Sequence, residues 1–418
     1  MTAQRRAVPA LLAAASACLA QPPDPDALAA HIVETSARVA EGETVLIRGH
    51  VRDQELLEDI ALHCRAMGAF PILSYASDHL SRGLLDQVPE RFDNQLSGLD
   101  IKLAPSLAAV ITIDPTDNPS LLNHIPSGRL AARAKADQAF SDLLRRMRVR
   151  QVFVGNGLYP TAAAANQYTL SVNELSKVYY SALDADPDGL EAAGEMVRLV
   201  LSSGKDVHIT NPNGTDLKLS IEGRPTRISD GTLPDPATMK DLPRPLPPLI
   251  VCLPAGEAMI VPVLTSAEGK VVVDTLAYRG REVTGLTVTF KAGKVTNMYA
   301  KSGIDALRPL YDAAPPGKEQ LAYLDFGLNP QVQLPAGVKP LAPMPIGMVS
   351  ICIGNNIRAG GESTVPFEVL LPLPGSTVTI DQATLVDGGT LILPTSPTTG
   401  EPSEPTPESA PADSHTDH

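Results

Sequence analysis

The chain has no tryptophan, and seven phenylalanines and nine tyrosines are its only other aromatics, 4% of 418 residues. It therefore offers few platforms on which nucleobases could stack. Basic residues are also in short supply, 34 Lys and Arg against 47 Asp and Glu, for a formal net charge of −13. That balance excludes a nucleic-acid partner, whose phosphates demand a basic face. Four cysteines are too few for a disulfide scaffold at this length. No apolar run approaches the ~20 residues of a bilayer-spanning helix. Gly-x-x-x-x-Gly-Lys, Gly-x-Gly-x-x-Gly, Gly-x-Ser-x-Gly and His-Glu-x-x-His are all absent, which argues against P-loop, simple dinucleotide-binding, α/β-hydrolase and zincin chemistry. Histidine is missing from the whole stretch between His208 and His415.

Hydrophobic residues make up 43% and charged residues 19%, and the length suits two or three domains with a sizeable core. The first 22 residues read as a signal or lipoprotein-like segment. Arg5 and Arg6 precede a short Ala/Leu-rich stretch over 7–20, followed by small and then polar, proline-broken residues. Cleavage after Ala20 would release a soluble protein. In the alternative, 12–18 is a loose lipobox whose Cys18 carries a lipid anchor, the only membrane attachment expected. Export to the periplasm or cell envelope is the expectation, with retention in the cytoplasm the alternative. Residues 394–418 are rich in Pro, Ser, Thr and Glu with almost no apolar content, a composition expected to stay disordered.

Between these ends the patterning changes once. Over 23–230 short apolar strands (43–49, 69–75, 110–114, 151–155, 207–210) alternate with helical stretches (53–67, 130–147, 171–183, 190–203). The alternation predicts an α/β domain with a largely parallel sheet. Prolines crowd 231–248 as in a linker. Over 249–393 strands dominate (249–253, 270–277, 286–290, 295–300, 348–353, 376–381), with one helix over 302–312, which predicts a β-rich α+β domain. No internal repeat is present.

Several segments in order resemble one family. Asn213-Gly214-Thr215-Asp216-Leu217, continuing to Ile221-Glu222-Gly223-Arg224, is similar to a Gly-Thr-Asp-Leu…Ile-x-Gly-Arg stretch of the aminopeptidase T/aminopeptidase II metallopeptidases. Leu253-Pro254-Ala255-Gly256-Glu257, followed by Pro262, resembles their Pro-x-Gly-Glu segment. Tyr159-Pro160-Thr161 with Ser171-Val172-Asn173-Glu174, and Glu41-Gly42-Glu43-Thr44-Val45-Leu46-Ile47, match earlier segments. The order holds over 26–392. The resemblance implies an α/β domain, a second domain with a paired divalent-metal site (Zn, Co or Mn), a peptide or amino-acid-like ligand, and often a homodimer. In such a site two metals lower the pKa of a bridging water and polarise the scissile carbonyl, while carboxylates fix the ions.

The family uses two glutamates, a strand histidine, a later His-x-Asp and a nearby tyrosine. Carried onto this sequence, Glu257 matches the first glutamate. Tyr323 stands at the second, with Asp325 two residues on. Ser350 stands at the strand histidine, and Pro366-Phe367-Glu368 stands at His-x-Asp, so only Glu368 keeps a carboxylate there. Glu257 and Glu368 are thus the metal-ligand candidates. Tyr323, Ser350 and Pro366 are substituted positions, and no residue is a confident catalytic group.

The expected function is an exported homologue of metal-dependent aminopeptidases that is non-hydrolytic and keeps a peptide- or amine-binding cleft. The alternatives are an active aminopeptidase with rearranged ligands, including a carboxylate–thiolate set with Cys352, and a structural dimer. Glu257 could equally serve the fold at a tight Pro-Gly turn. Cys252 and Cys352 read as a disulfide or as buried thiols, Cys64 as core, and His50 and His63 as structural residues.

Overall fold

The computed structural model describes residues 25–114, 117–237 and 248–393. The expected leader with Cys18, most of the Pro-rich segment and the tail lie outside the described residues.

Period-3.6 and short apolar segments alternate as the sequence pattern requires. Helix α1 (Pro25–Ala30) precedes strand β1 (Thr44–His50), and α2 (Gln54–Ala66) then buries Leu57, Ile60 and Cys64. Gly68, at φ +80°, ends α2: the Ala69 N–H reaches back to the Cys64 carbonyl at 2.9 Å, the bond expected of a left-handed cap. Strand β2 (Phe70–Ala76), helices α3 (Asp78–Asp86) and α4 (Gly98–Leu103), strand β3 (Ala109–Ile113), helix α5 (Ser127–Arg146) and strand β4 (Arg150–Val154) follow. Helices α6 (Ala162–Gln167), α7 (Val172–Leu183) and α8 (Pro187–Ser203) complete this half. A capping box between Ser171 and Glu174 starts α7.

The later strands are β5 (Asp206–Asn211), β6 (Thr215–Ser220), β7 (Thr226–Ser229), β8 (Ile250–Leu253), β9 (Glu257–Ile260), β10 (Glu268–Tyr278), β11 (Arg281–Lys291) and β12 (Lys294–Tyr299). Helix α9 (Arg308–Ala313) is followed by β13 (Leu321–Gly327), β14 (Val349–Gly354), β15 (Glu368–Pro372), β16 (Thr377–Ile380), β17 (Ala383–Asp387) and β18 (Thr390–Leu391).

Three sheets result. The first is parallel and five-stranded, in the order β2-β1-β3-β4-β8, and gives the α/β part. The second has eight antiparallel strands in the order β12-β11-β10-β6-β5-β16-β17-β18. The third has five antiparallel strands in the order β15-β14-β13-β9-β7. The α/β and β-rich parts are those expected. Membership crosses the Pro-rich segment in both directions, however: β5, β6 and β7 pair with later antiparallel strands, while β8 completes the parallel sheet.

The third sheet has two unlike faces. Ala258, Ile260, Leu324, Phe326 and Ile351 belong to the main hydrophobic core. The opposite face carries Met259, Tyr323 and Cys352 in a small separate cluster, and with them the polar residues of the candidate site.

Candidate functional site

Strand register assembles this polar face. Arg227 pairs with Met259, Met259 with Asp325, and Asp325 with Ser350, while Ser229 pairs with Glu257 and Glu257 with Gly327. Because side chains alternate, Glu257, Asp325, Tyr323, Ser350 and Cys352 all project to the same side. The face abuts the carboxyl ends of parallel strands β4 and β8, where open α/β sheets commonly hold ligands. The segment after β8 turns through Gly256 into Glu257. Gly256 has φ +112°, and a Cβ there would lie 2.7 Å from that of Asn329, so only glycine fits. Buried Asn329 ties the turn down through its Nδ2, which donates to the Ala182 and Ala255 carbonyls at 2.9 and 2.7 Å.

Glu257 and Asp325 are both fully buried. The Arg358 guanidinium, in the loop between β14 and β15, donates to Glu257 Oε2. Asn156, in the Gly-Asn-Gly turn after β4, donates to the Pro254 carbonyl at 2.9 Å and to Glu257 Oε2 at 3.3 Å, and accepts from Arg358 at 3.3 Å. Among the described residues, Glu257 Oε1, both Asp325 oxygens and Ser350 Oγ find no hydrogen-bond partner. Burial, and then the negative charge of Glu257, push the Asp325 carboxyl well above its ordinary pKa.

The second group of candidates sits alongside. The buried Tyr323 hydroxyl donates to Glu368 Oε1 at 2.9 Å, and Cys352 Sγ lies 3.6 Å from the same oxygen. Burial raises the Cys352 thiol well above its usual pKa, with Glu368 adding to the rise, and raises Cys252 to about 11. Both are free thiols, so the disulfide reading is corrected to two buried, protonated cysteines, poor nucleophiles and poor metal ligands. Pro366 lies in the bend before β15. Cys64 is a free core thiol, and buried His50 accepts from the Arg52 amide at 3.2 Å, a structural role.

Arg358 and Asn156 were not singled out from the sequence. Neither lies in a periodic segment. The available signal was indirect, since a buried carboxylate in a histidine-free half needs some other cation.

Glu368 also reaches a cleft. It lines a cavity of about 250 Å³ with Gly157, Tyr168 and Leu341. Tyr168 and Leu341 also line a cavity of about 590 Å³, whose wall includes Arg281 and Lys339. Leu341 and Lys339 border a third of about 360 Å³. The cleft runs between the α6 region, β10 and the 337–341 loop.

These features define a two-part α/β and antiparallel-β protein with a buried acidic site beside a cleft between the α6 region and β10. Residues 24–315 match the thermophilic metalloprotease (M29) family. The chain belongs to that family. Among solved structures it is similar to wild-type AmpT from Thermus thermophilus, at 18% identity and TM-score 0.67, covering 88% of this chain and 99% of that one. It is also similar to 2,5-dihydroxypyridine dioxygenase from Pseudomonas putida KT2440, at 14% identity and TM-score 0.56, covering 90% and 99%. No curated protein matches the sequence. The second likeness bears a name unconnected with peptides, so the fold by itself does not fix the reaction.

A divalent metal is plausible for the family, but the donor set here does not fit one. Among the described residues no three His, Cys, Asp or Glu side chains converge as a ligand group. The oxygen of Glu257 that faces Arg358 is already paired with a cation.

Proposed function

We propose that the chain is a non-hydrolytic member of the M29 family that binds peptides or small amines in the cleft ending at Glu368. The observation that carries this reading is the engagement of Glu257 by Arg358 in place of a convergent ligand set. The exposed Glu368 carboxylate supplies an anion for a ligand amine, and Lys339 supplies a cation for a carboxylate farther along. Calorimetry with unblocked and N-acetylated tripeptides tests it. Unblocked peptides should bind, acetylation and Glu368→Gln should each weaken binding at least ~10-fold, the loss of a charge-assisted contact, and the peptides should be recovered intact. Shortened peptides, or no binding by any of them, contradict the reading.

Family membership itself favours a second reading, an active aminopeptidase with rearranged ligands. It requires Arg358 to leave Glu257 when metal enters. Export as a soluble or lipid-anchored envelope protein is proposed from residues 1–22, and fractionation of cells expressing the full chain and Cys18→Ala tests it. A homodimer is also proposed. It is supported by β2, an edge strand of the parallel sheet on which Phe70, Leu73 and Tyr75 are 55%, 37% and 38% exposed.

A further inference from the structure

The polar face raises a question of charge that the loss of metal ligands does not answer. Two fully buried carboxyls, Glu257 and Asp325, share one side of the third sheet. Buried carboxylates persist only when paired with a cation or protonated. Two guanidinium groups lie within electrostatic reach. Arg227 is committed elsewhere, donating to the Pro248 carbonyl at 2.7 Å and to the Ile250 carbonyl. Among the described residues, Arg358 is the arginine that pairs with a site carboxylate.

The loop delivers Arg358 in a fixed way. Asn355 Oδ1 accepts from the Ile357 amide at 3.0 Å, and Asn356 Oδ1 accepts from the Ser363 amide at 2.7 Å. Asn356 is itself buried, so side chains that cap the loop's own backbone brace it on either side of Arg358. Only 19% of the Arg358 side chain is exposed. Burial works against its charge, and the Glu257 carboxylate with which it pairs favours the protonated form.

We propose that Arg358 is the resident cation of this site, a guanidinium built into the chain that neutralises Glu257 and keeps divalent metal out. This rests on the non-hydrolytic reading above but makes a separate claim, about what replaces the metal rather than whether peptides are cut. A guanidinium in this place has two consequences. It occupies Glu257 Oε2, and it repels a second cation at contact distance. It also leaves a latent site. Without the guanidinium, Glu257, Asp325 and the Asn156 amide oxygen would form an oxygen-lined space of the kind that hard divalent cations accept.

The test is thermal melting and calorimetric titration of the full chain with Zn²⁺, Co²⁺ and Mn²⁺, for the wild type, Arg358→Ala, Glu257→Gln and the double variant. The wild type should melt at the same temperature with each metal and with chelator. Arg358→Ala should melt several degrees lower, and at least one metal should restore much of that loss with saturable binding. The double variant should melt above Arg358→Ala and lose the metal response, because it no longer buries an unpaired carboxylate. Should Arg358→Ala fail to fold, wild type and Glu257→Gln decide: saturable metal binding by the wild type that is lost in Glu257→Gln overturns the proposal, and its absence upholds it. Equal melting of wild type and Arg358→Ala also overturns it. In that case the non-hydrolytic reading still stands if the wild type takes up no metal, so the two claims fail separately.

Discussion

Asp325 is the residue whose chemistry is most constrained by its surroundings. Its carboxyl has no exposed surface and sits beside Glu257, and both burial and that neighbour raise its pKa well above the ordinary 3.8. A folded-state value above the unfolded one gives a contribution to stability that is complete below the unfolded value. It is lost as pH rises through the folded value. Asp325→Asn, which keeps the shape and a hydrogen-bond donor, should therefore gain on the wild type as pH rises from 5 to 8. Urea unfolding at both pH values checks this, and an advantage that shrinks with pH contradicts it. Tyr323→Phe removes the donor to Glu368 and should cost about 1 kcal/mol in the same assay, because exposed Glu368 can turn to water. Glu257, Tyr323, Ser350 and Glu368 could be located in the sequence because short family-like segments surround them. Arg358 could not, because a loop residue that acts by charge leaves no period and no spacing behind it.

At the scale of elements, local signals were strong where local chemistry decides the outcome. Ser171 and Glu174 announce the start of α7, and Ser171→Ala should cost about 1 kcal/mol. The Gly256 turn is a stricter constraint. Gly256→Ala combines a left-handed backbone with a Cβ 2.7 Å from Asn329, and should cost about 2 kcal/mol or more while displacing Glu257. A chemical melt of each variant reads these losses, and an unchanged Gly256→Ala midpoint would contradict the account of the turn. Strand–helix alternation over 28–203 was readable because apolar periodicity marks each element by itself. The sheet that each strand joins was not. Residues 250–253 are a short apolar strand like any other, and only their pairing with β4 across about a hundred residues of chain puts them in the parallel sheet. The same holds for β7, whose pairing with β9 brings Arg227 to the site face.

For the whole molecule, the parallel sheet and the antiparallel third sheet meet at the polar face. The cleft opens beside it, and the second sheet closes the far wall through β10. The dimer proposal belongs to this scale. Leu73→Lys on the exposed face of edge strand β2 should shift the mass measured by light scattering from dimer to monomer without changing the melting profile of the fold. A wild type that is already monomeric removes the proposal.

On the two proposals above, this metallopeptidase-family fold has exchanged its metal for an internal guanidinium and with it given up peptide hydrolysis. The most direct measurement is release of N-terminal residues from a mixed peptide pool by the purified full chain with added Zn²⁺, Co²⁺ or Mn²⁺, alongside Glu257→Ala. No release above background is expected with any of the three metals, equal in both proteins. Metal-dependent release by the wild type that disappears in Glu257→Ala would contradict it and make Glu257 a working metal ligand.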